Sequence, residues 1–176
     1  GKDYSSEVRD VRTTSLANGT DTSSLSAGNI ATGFDTLEDK DTITVDFLIA
    51  PGMSSRSDQT TVVNDLVTTA GTTRKDCVVV TSPARSDIVN VSSPATQVTN
   101  AVATADTFTN SSYLVVDNNY LKVYDKYNDK FRFIPAASST AGIMAATDLA
   151  AASWFSPAGP RRGAYLGITS LASSPN

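Results

Sequence analysis

Two short apolar and β-branched runs, ITVDFLIA at Ile43–Ala50 and CVVV at Cys77–Val80, bracket a segment with helical spacing. No other feature limits the possible folds as strongly. The first run closes at Pro51 and Gly52 and reads as a mostly buried strand. Between the runs, Val62, Val63, Leu66, Val67 and Ala70 fall on one stripe of a helix that Ser57 or Asp58 can cap and Gly71 can stop. After a loop containing Pro83, Ser93 and Pro94 suit the opening of a second helix, as N-cap and first-turn proline. Val98, Ala101, Val102 and Ala105 then recur at helical spacing. Strand, helix, strand, helix is the order of an α/β layer whose helices cover a sheet with its first two strands parallel.

The period then changes to two. Tyr113–Val116 reads as a strand, Asn118 and Asn119 as a tight turn because asparagine tolerates positive φ, and Tyr120–Tyr124 as the returning strand. Tyr120, Lys122 and Tyr124 share one face and Leu121 and Val123 the other, which puts Tyr120 and Tyr124 on the exposed side. Asp125–Lys130 turns the chain into Phe131–Ile134, so an antiparallel meander joins the parallel βαβ part in a mixed sheet. A third helix, rich in alanine and containing Gly142, starts at Ser138 or Ser139; Trp154, Phe155, Pro157 and Gly159 close it. Residues 1–41 are dominated by Ser, Thr, Asn, Asp and Gly. They read as a polar extension or part of a neighbouring or inserted domain, with no firm element, which leaves 42–176 as the α/β domain.

Composition removes whole classes of chemistry. The chain has 176 residues and no histidine, so Ser-His-Asp and Cys-His catalysis are both excluded. With Cys77 as its one cysteine, it cannot assemble the usual zinc sets or an internal disulfide, and Cys77 reads as a small buried hydrophobe. No cofactor, metal or catalytic residue is expected. A net charge of −4 provides no overall attraction for phosphate backbones, and no apolar run approaches the roughly 20 residues of a spanning helix. Neither nucleic acid nor membrane is an expected partner. Gly1 stands where a start methionine would be expected, consistent with a piece of a longer protein.

Ile43–Gly52, a helix and Asp76–Pro83 give the order buried strand, Pro-Gly, helix, Arg/Lys-Asp, buried strand and proline. Tyr120–Pro135, Ala141–Asp148 and the loop SPAGPRRG at Ser156–Gly163 follow. This succession, over roughly the C-terminal three quarters of the chain, resembles the tail sheath proteins of contractile bacteriophages, in details of the T-even type. The resemblance implies a structural subunit of the virion tail, made in the host cytoplasm, whose copies stack around a tail tube and contract to drive it through the host envelope. Its partners would be other sheath copies and, through the full assembly, the tube and baseplate. It also implies a subtilisin-like domain without a triad, because the histidine is missing. The family's C-terminal region, which contacts the tube and exchanges strands with neighbours, is not recognisable before Asn176; the isolated chain is therefore expected to fold as a monomer.

Candidate contact residues follow from charge. Acidic Asp35, Glu38, Asp39 and Asp41 lie far in sequence from basic Lys126, Lys130, Arg132, Arg161 and Arg162, and such patches could align neighbouring subunits, with Tyr120 and Tyr124 beside them. Arg161 and Arg162 sit next to Gly159 and Gly163 but lack the spacing of a phosphate-binding loop, and Asp125, Asn128 and Asp129 lack the glycine and distant glutamate of a calcium loop. Ser156 does not occupy a Gly-x-Ser-x-Gly elbow. Two other readings are an α/β hydrolase-type enzyme, on the α/β order, and a secreted or surface adhesin-like module, on the Ser/Thr content and the sequons at Asn18, Asn90 and Asn110.

Overall fold

The computed structural model describes residues 25–174 together with Ser15 and Gly19. The apolar runs narrow to β1 (Phe47–Ile49) and β2 (Val78–Thr81), which pair in parallel with Leu48 opposite Val79. A third strand, β3 (Leu114–Val116), adds in parallel on the other side of β2, with Val80 opposite Val115, giving the order β1-β2-β3. Alternation along these strands makes two apolar faces. Leu48 and Val79 join Val62, Val63, Leu66 and Val67 on one side; Val80, Phe47, Val78 and Val115 meet Ala137, Ala141 and Met144 on the other. The parallel layer is thus covered by a helix on each face.

The first covering helix, α1 (Ala27–Asp35), lies inside the polar stretch read as having no firm element. Its Ser26 side chain accepts from the Asn29 N–H at 3.2 Å, and Ala27, Ile30 and Phe34 pack on the core of the parallel layer. Intervening glycines and polar residues hid this spacing. Residues 1–14 and most of 16–24 lie outside the described residues.

The second helix, α2 (Arg56–Thr68), is capped two or three residues earlier than expected. Ser55, not Ser57 or Asp58, accepts from the Asp58 N–H, and its hydroxyl donates to the Asp58 carboxylate at 2.7 Å. Nor does Gly71 stop it. The helix widens into a π-helical turn over Thr69–Arg74 and ends at Lys75, whose φ of 63° is left-handed. The wider turn brings Arg74 round to the inside. There its guanidinium donates to the backbone carbonyls of Leu37 and Ile43 and, bidentately, to Asp76. A buried guanidinium needs such partners for its donors, and here they tie the segment after α1 to the domain.

After the short α3 (Arg85–Ile88), α4 (Pro94–Ala105) begins at Ser93 as the sequence indicated. The stripe read as buried is mostly not: Val98 and Val102 are exposed, and the inner face is Gln97, Ala101 and Thr104. Hydrogen bonding decides this. The Gln97 amide donates to the carbonyls of Ile88, Val91 and Ala172, while Thr104 donates to Asp87, which also receives Arg56.

Both the parallel and the antiparallel part are present, in separate sheets. Asn118 and Asn119 do not join β3 to the next strand as a hairpin. β4 (Tyr120–Asp125) leaves the parallel layer and pairs antiparallel with β5 (Lys130–Pro135) over six residue pairs, and with β6 (Ser170–Leu171) on its other side. The Asn119 side chain instead holds the C-terminal segment: its amide donates to the Ser173 carbonyl, and its oxygen accepts from the N–H groups of Ser173 and Tyr120. The last helix, α5 (Ala137–Ala150), starts one or two residues before Ser138 and Ser139, with the Ala137 N–H donating to Ser82 Oγ.

Candidate interaction surfaces

Tyr120 belongs to the interior, which corrects its assignment to an exposed face. It is 1% exposed, packs with Ile88, Val89 and Ala101, and donates its hydroxyl to the Pro83 carbonyl at 2.9 Å. A Cβ on Gly52 would lie 2.8 Å from that hydroxyl and 2.6 Å from Pro135, so the Pro-Gly step leaves room for the ring. Burial raises the phenol pKa well above its ordinary value, so the hydroxyl remains a donor. Alternation of two alone could not reveal this, because both faces of β4 are covered at its first residue.

The far end of the same strand faces solvent. Tyr124 and Phe131 stack with ring centroids 5.3 Å apart, half exposed, with the Lys122 ammonium 4.6 Å from the Phe131 centroid. At the tip the Asp125 carboxylate accepts from Arg132 at 2.8 Å and from the Asn128 amide at 2.7 Å, as well as from the Tyr127 and Asn128 N–H groups. The Arg132 bond, then the Asn128 bond, pull its pKa down to about 2. Arg132 is therefore a brace of its own turn. Asp129, with φ of 51°, accepts from the Tyr124 hydroxyl at 2.6 Å. Asp125 and Asp129 are occupied in shaping a stiff hairpin, while Lys126, Tyr127 and Lys130 point into solvent, Tyr127 88% exposed.

The expected acidic patch separates into parts. Asp39 accepts from the Thr42 hydroxyl and then the Asp41 N–H, which lower its pKa in that order, whereas Asp41 is simply exposed. Asp35 and Glu38 bear instead on Asp65 of α2, whose pKa is raised by burial first and then by these two charges. One Asp65 carboxylate oxygen is buried with no hydrogen-bond partner.

After α5 the SPAGPRRG segment forms a loop in which the Gly163 N–H donates to the Gly159 carbonyl at 2.8 Å, with Gly159 at a φ of 120° that favours glycine. Arg161 and Arg162 are both exposed; the Arg162 guanidinium lies 4.3 Å from the Phe155 ring centroid. Tyr165 anchors the loop by donating to Asp117 at 2.6 Å, an oxygen that Thr140 of α5 also reaches. The basic residues proposed together from sequence thus lie on two elements, the hairpin and this loop. Sequence reasoning missed the roles of Asn119, Gln97 and Arg74, each of which has a partner far along the chain: Ser173, Ala172, and Leu37 with Ile43.

No known family profile matches the chain. Individual proteins do. The tail sheath protein of Enterobacteria phage T4 is 32% identical over 157 residues, 84% of this chain and 24% of that protein. Over this stretch the chain is homologous to the tail sheath proteins. That of Vibrio phage KVP40 is 33% identical over 154 residues, covering 80% of this chain and 23% of the relative. A shorter match, 47% identical over 62 residues, joins it to the tail sheath protein of Salmonella phage ViI. The chain spans about a quarter of the length of the first two sheath relatives. Among the described residues, Lys126, Tyr127, Lys130, Arg161, Arg162 and Trp154 are conspicuous charged and aromatic groups left exposed.

Proposed function

We propose that this chain is part of a structural subunit of a contractile tail sheath. In that role its copies polymerise around a tail tube and rearrange together to drive the tube through a host envelope. The observation that carries this reading is the run of identity to sheath proteins over four fifths or more of the chain. The α/β layer serves as a rigid body, and the energy of contraction resides in contacts between bodies, where small differences per subunit add over the lattice. The domain is subtilisin-like in fold alone, since no histidine exists to complete a triad.

Sheath copies, the tube and the baseplate are its partners; the tail of the virion is its location, after assembly in the host cytoplasm. Exposed Lys126, Lys130, Arg161, Arg162 and Tyr124 belong to contacts between subunits, with Asp41 among their acidic counterparts. Arg132 and Asp39 act indirectly, by shaping turns. The test is to place the structure into the density of a contractile tail from the same phage type. A fit at one position in every ring is expected, and failure to fit at any position rules the reading out. In the complete sheath protein, reversing Arg161 and Arg162 to glutamate should impair sheath assembly while the monomer stays folded.

A further inference from the structure

Beside the N-terminal ends of β1 and β2, a groove of about 500 Å³ lies between the sheet edge and the end of α5. Phe47, Val78 and Met144 give it an apolar floor, and Leu149, 91% exposed, stands at its lip. Three carboxylates line it: Asp46, Asp76 and Asp148, all exposed. Asp76 is neutralised by Arg74, with Lys40 nearby. Among the described residues, Asp46 and Asp148 make no ion pair, so the groove combines apolar surface with uncompensated negative charge.

The β4–β5 hairpin has the complementary chemistry. Its tip carries Tyr127 almost fully exposed, with the Lys126 ammonium 5.2 Å from the ring centroid and Lys130 beside it. The acids of the turn are already taken by Arg132 and Tyr124, so the turn backbone is braced and presents an exposed aromatic and cationic tip. A turn braced before contact removes part of the ordering cost of binding, and tyrosine is enriched where interfaces concentrate their energy.

We infer that the Asp46/Asp148 groove of one copy receives the Lys126–Tyr127 hairpin tip of a second copy. Charge complementarity selects this occupant: Lys126 and Lys130 meet Asp46 and Asp148 at the rim while the Tyr127 ring covers the apolar floor. Position adds to it. The groove opens beside Asp46 and Asp76, which precede β1 and β2, whereas the hairpin is rooted at Tyr120, whose hydroxyl reaches Pro83 beyond the end of β2. Groove and hairpin root thus lie at opposite ends of the parallel strands. A contact between two different patches is heterologous and propagates from copy to copy, whereas a self-matching patch stops at a dimer. This deepens the sheath reading and rests on it, because a sheath needs a repeating contact. One small interface of this kind is weak alone, with a dissociation constant of roughly millimolar, and gains strength from multiplicity in a lattice. The isolated chain is then monomeric when dilute and pairs only when concentrated.

Sedimentation of the purified chain over rising concentration tests this with two one-sided variants. Lys126→Ala with Tyr127→Ala removes the knob; Asp46→Asn with Asp148→Asn removes the charge of the groove. All four positions are exposed, and circular dichroism checks that both variants fold. The unaltered chain is expected to associate near millimolar concentration and to dissociate in high salt. Each variant alone should associate roughly tenfold more weakly, while their equimolar mixture should form a dimer that stops there, because each supplies the half the other lacks. A mixture as monomeric as its components overturns the inference, as does failure of the unaltered chain to associate. A chain that fits the tail lattice through other surfaces overturns this contact and leaves the sheath reading standing; head-to-tail pairing by a chain that fits nowhere in the lattice does the reverse.

Discussion

The parallel layer and the antiparallel hairpin are built on opposite principles. In the layer, Leu48, Val62, Val63, Leu66, Val79 and Val80 are at most 2% exposed and hold together by burial of apolar area on both faces of three short strands. In the hairpin, Tyr124, Tyr127 and Phe131 are more than half exposed, and shape comes from one carboxylate that gathers an arginine, an amide and two backbone N–H groups. Burial gives stability without specifying a partner; a stiff, solvated turn contributes little stability but presents a defined surface. If the chain is the sheath subunit proposed above, which stays intact while its contacts change, separating these tasks is an advantage.

The contrast is broken most severely in the layer. Leu66→Ala should cost about 3 kcal/mol, by lost transfer energy plus a cavity, whereas Tyr127→Ala at the hairpin tip should change stability by less than about 0.5 kcal/mol; denaturant unfolding measures both. Equal losses would refute the division. Next comes Gly52→Ala, for which a new Cβ would press on Tyr120 and Pro135 at the seam between the two sheets. Overpacking there should cost about 2 kcal/mol, read as a lower denaturant midpoint with an unchanged slope.

Asn119→Ala is expected to cost about 1–2 kcal/mol, because it leaves the N–H groups of Tyr120 and Ser173 and the Ser173 carbonyl without their partner. Hydrogen exchange should then quicken around β6 and leave β2 protected, whereas uniform quickening would mean that the segment is part of the cooperative core.

Acid sharpens the comparison further. Asp125 has its pKa depressed to about 2 by Arg132 and Asn128, so the stability it contributes is fully present above the ordinary carboxylate value, about 3.9, and is lost as pH falls toward 2. Asp65 runs the other way: its pKa is raised, so the favourable protonated form is lost as pH rises through the folded value. Asp65→Asn should therefore raise Tm slightly at pH 7, by about 2 °C, and have no effect at pH 3. A Tm rise of the same size at both pH values would show that charge is not the cause. Smallest of all is the double reversal of Arg161 and Arg162 to glutamate in this chain, expected to shift stability by less than about 0.5 kcal/mol because both side chains are exposed. A larger loss would place the arginines among structural rather than contact residues.

Burial periodicity was legible in β1, β2 and α2, but not on α4, where the hydrogen bonds of Gln97 and Thr104 chose the buried face. The strands at Phe47–Ile49 and Val78–Thr81, the stripe Val62–Val67 and the Ser93-Pro94 helix start all appear because neighbours along the chain carry the signal themselves. The order of these blocks, ending in SPAGPRRG, also sufficed to point to the sheath family. What only the tertiary structure decided depends on partners distant in sequence: Tyr120 is buried because Pro83 and Gly52 meet it, and Arg74 because Leu37 and Ile43 present carbonyls to it. Asn119 clasps Ser173, 54 residues away and just past β6, instead of turning a hairpin. A period read along one strand reports which residues share a face, but what covers that face is set by packing between segments.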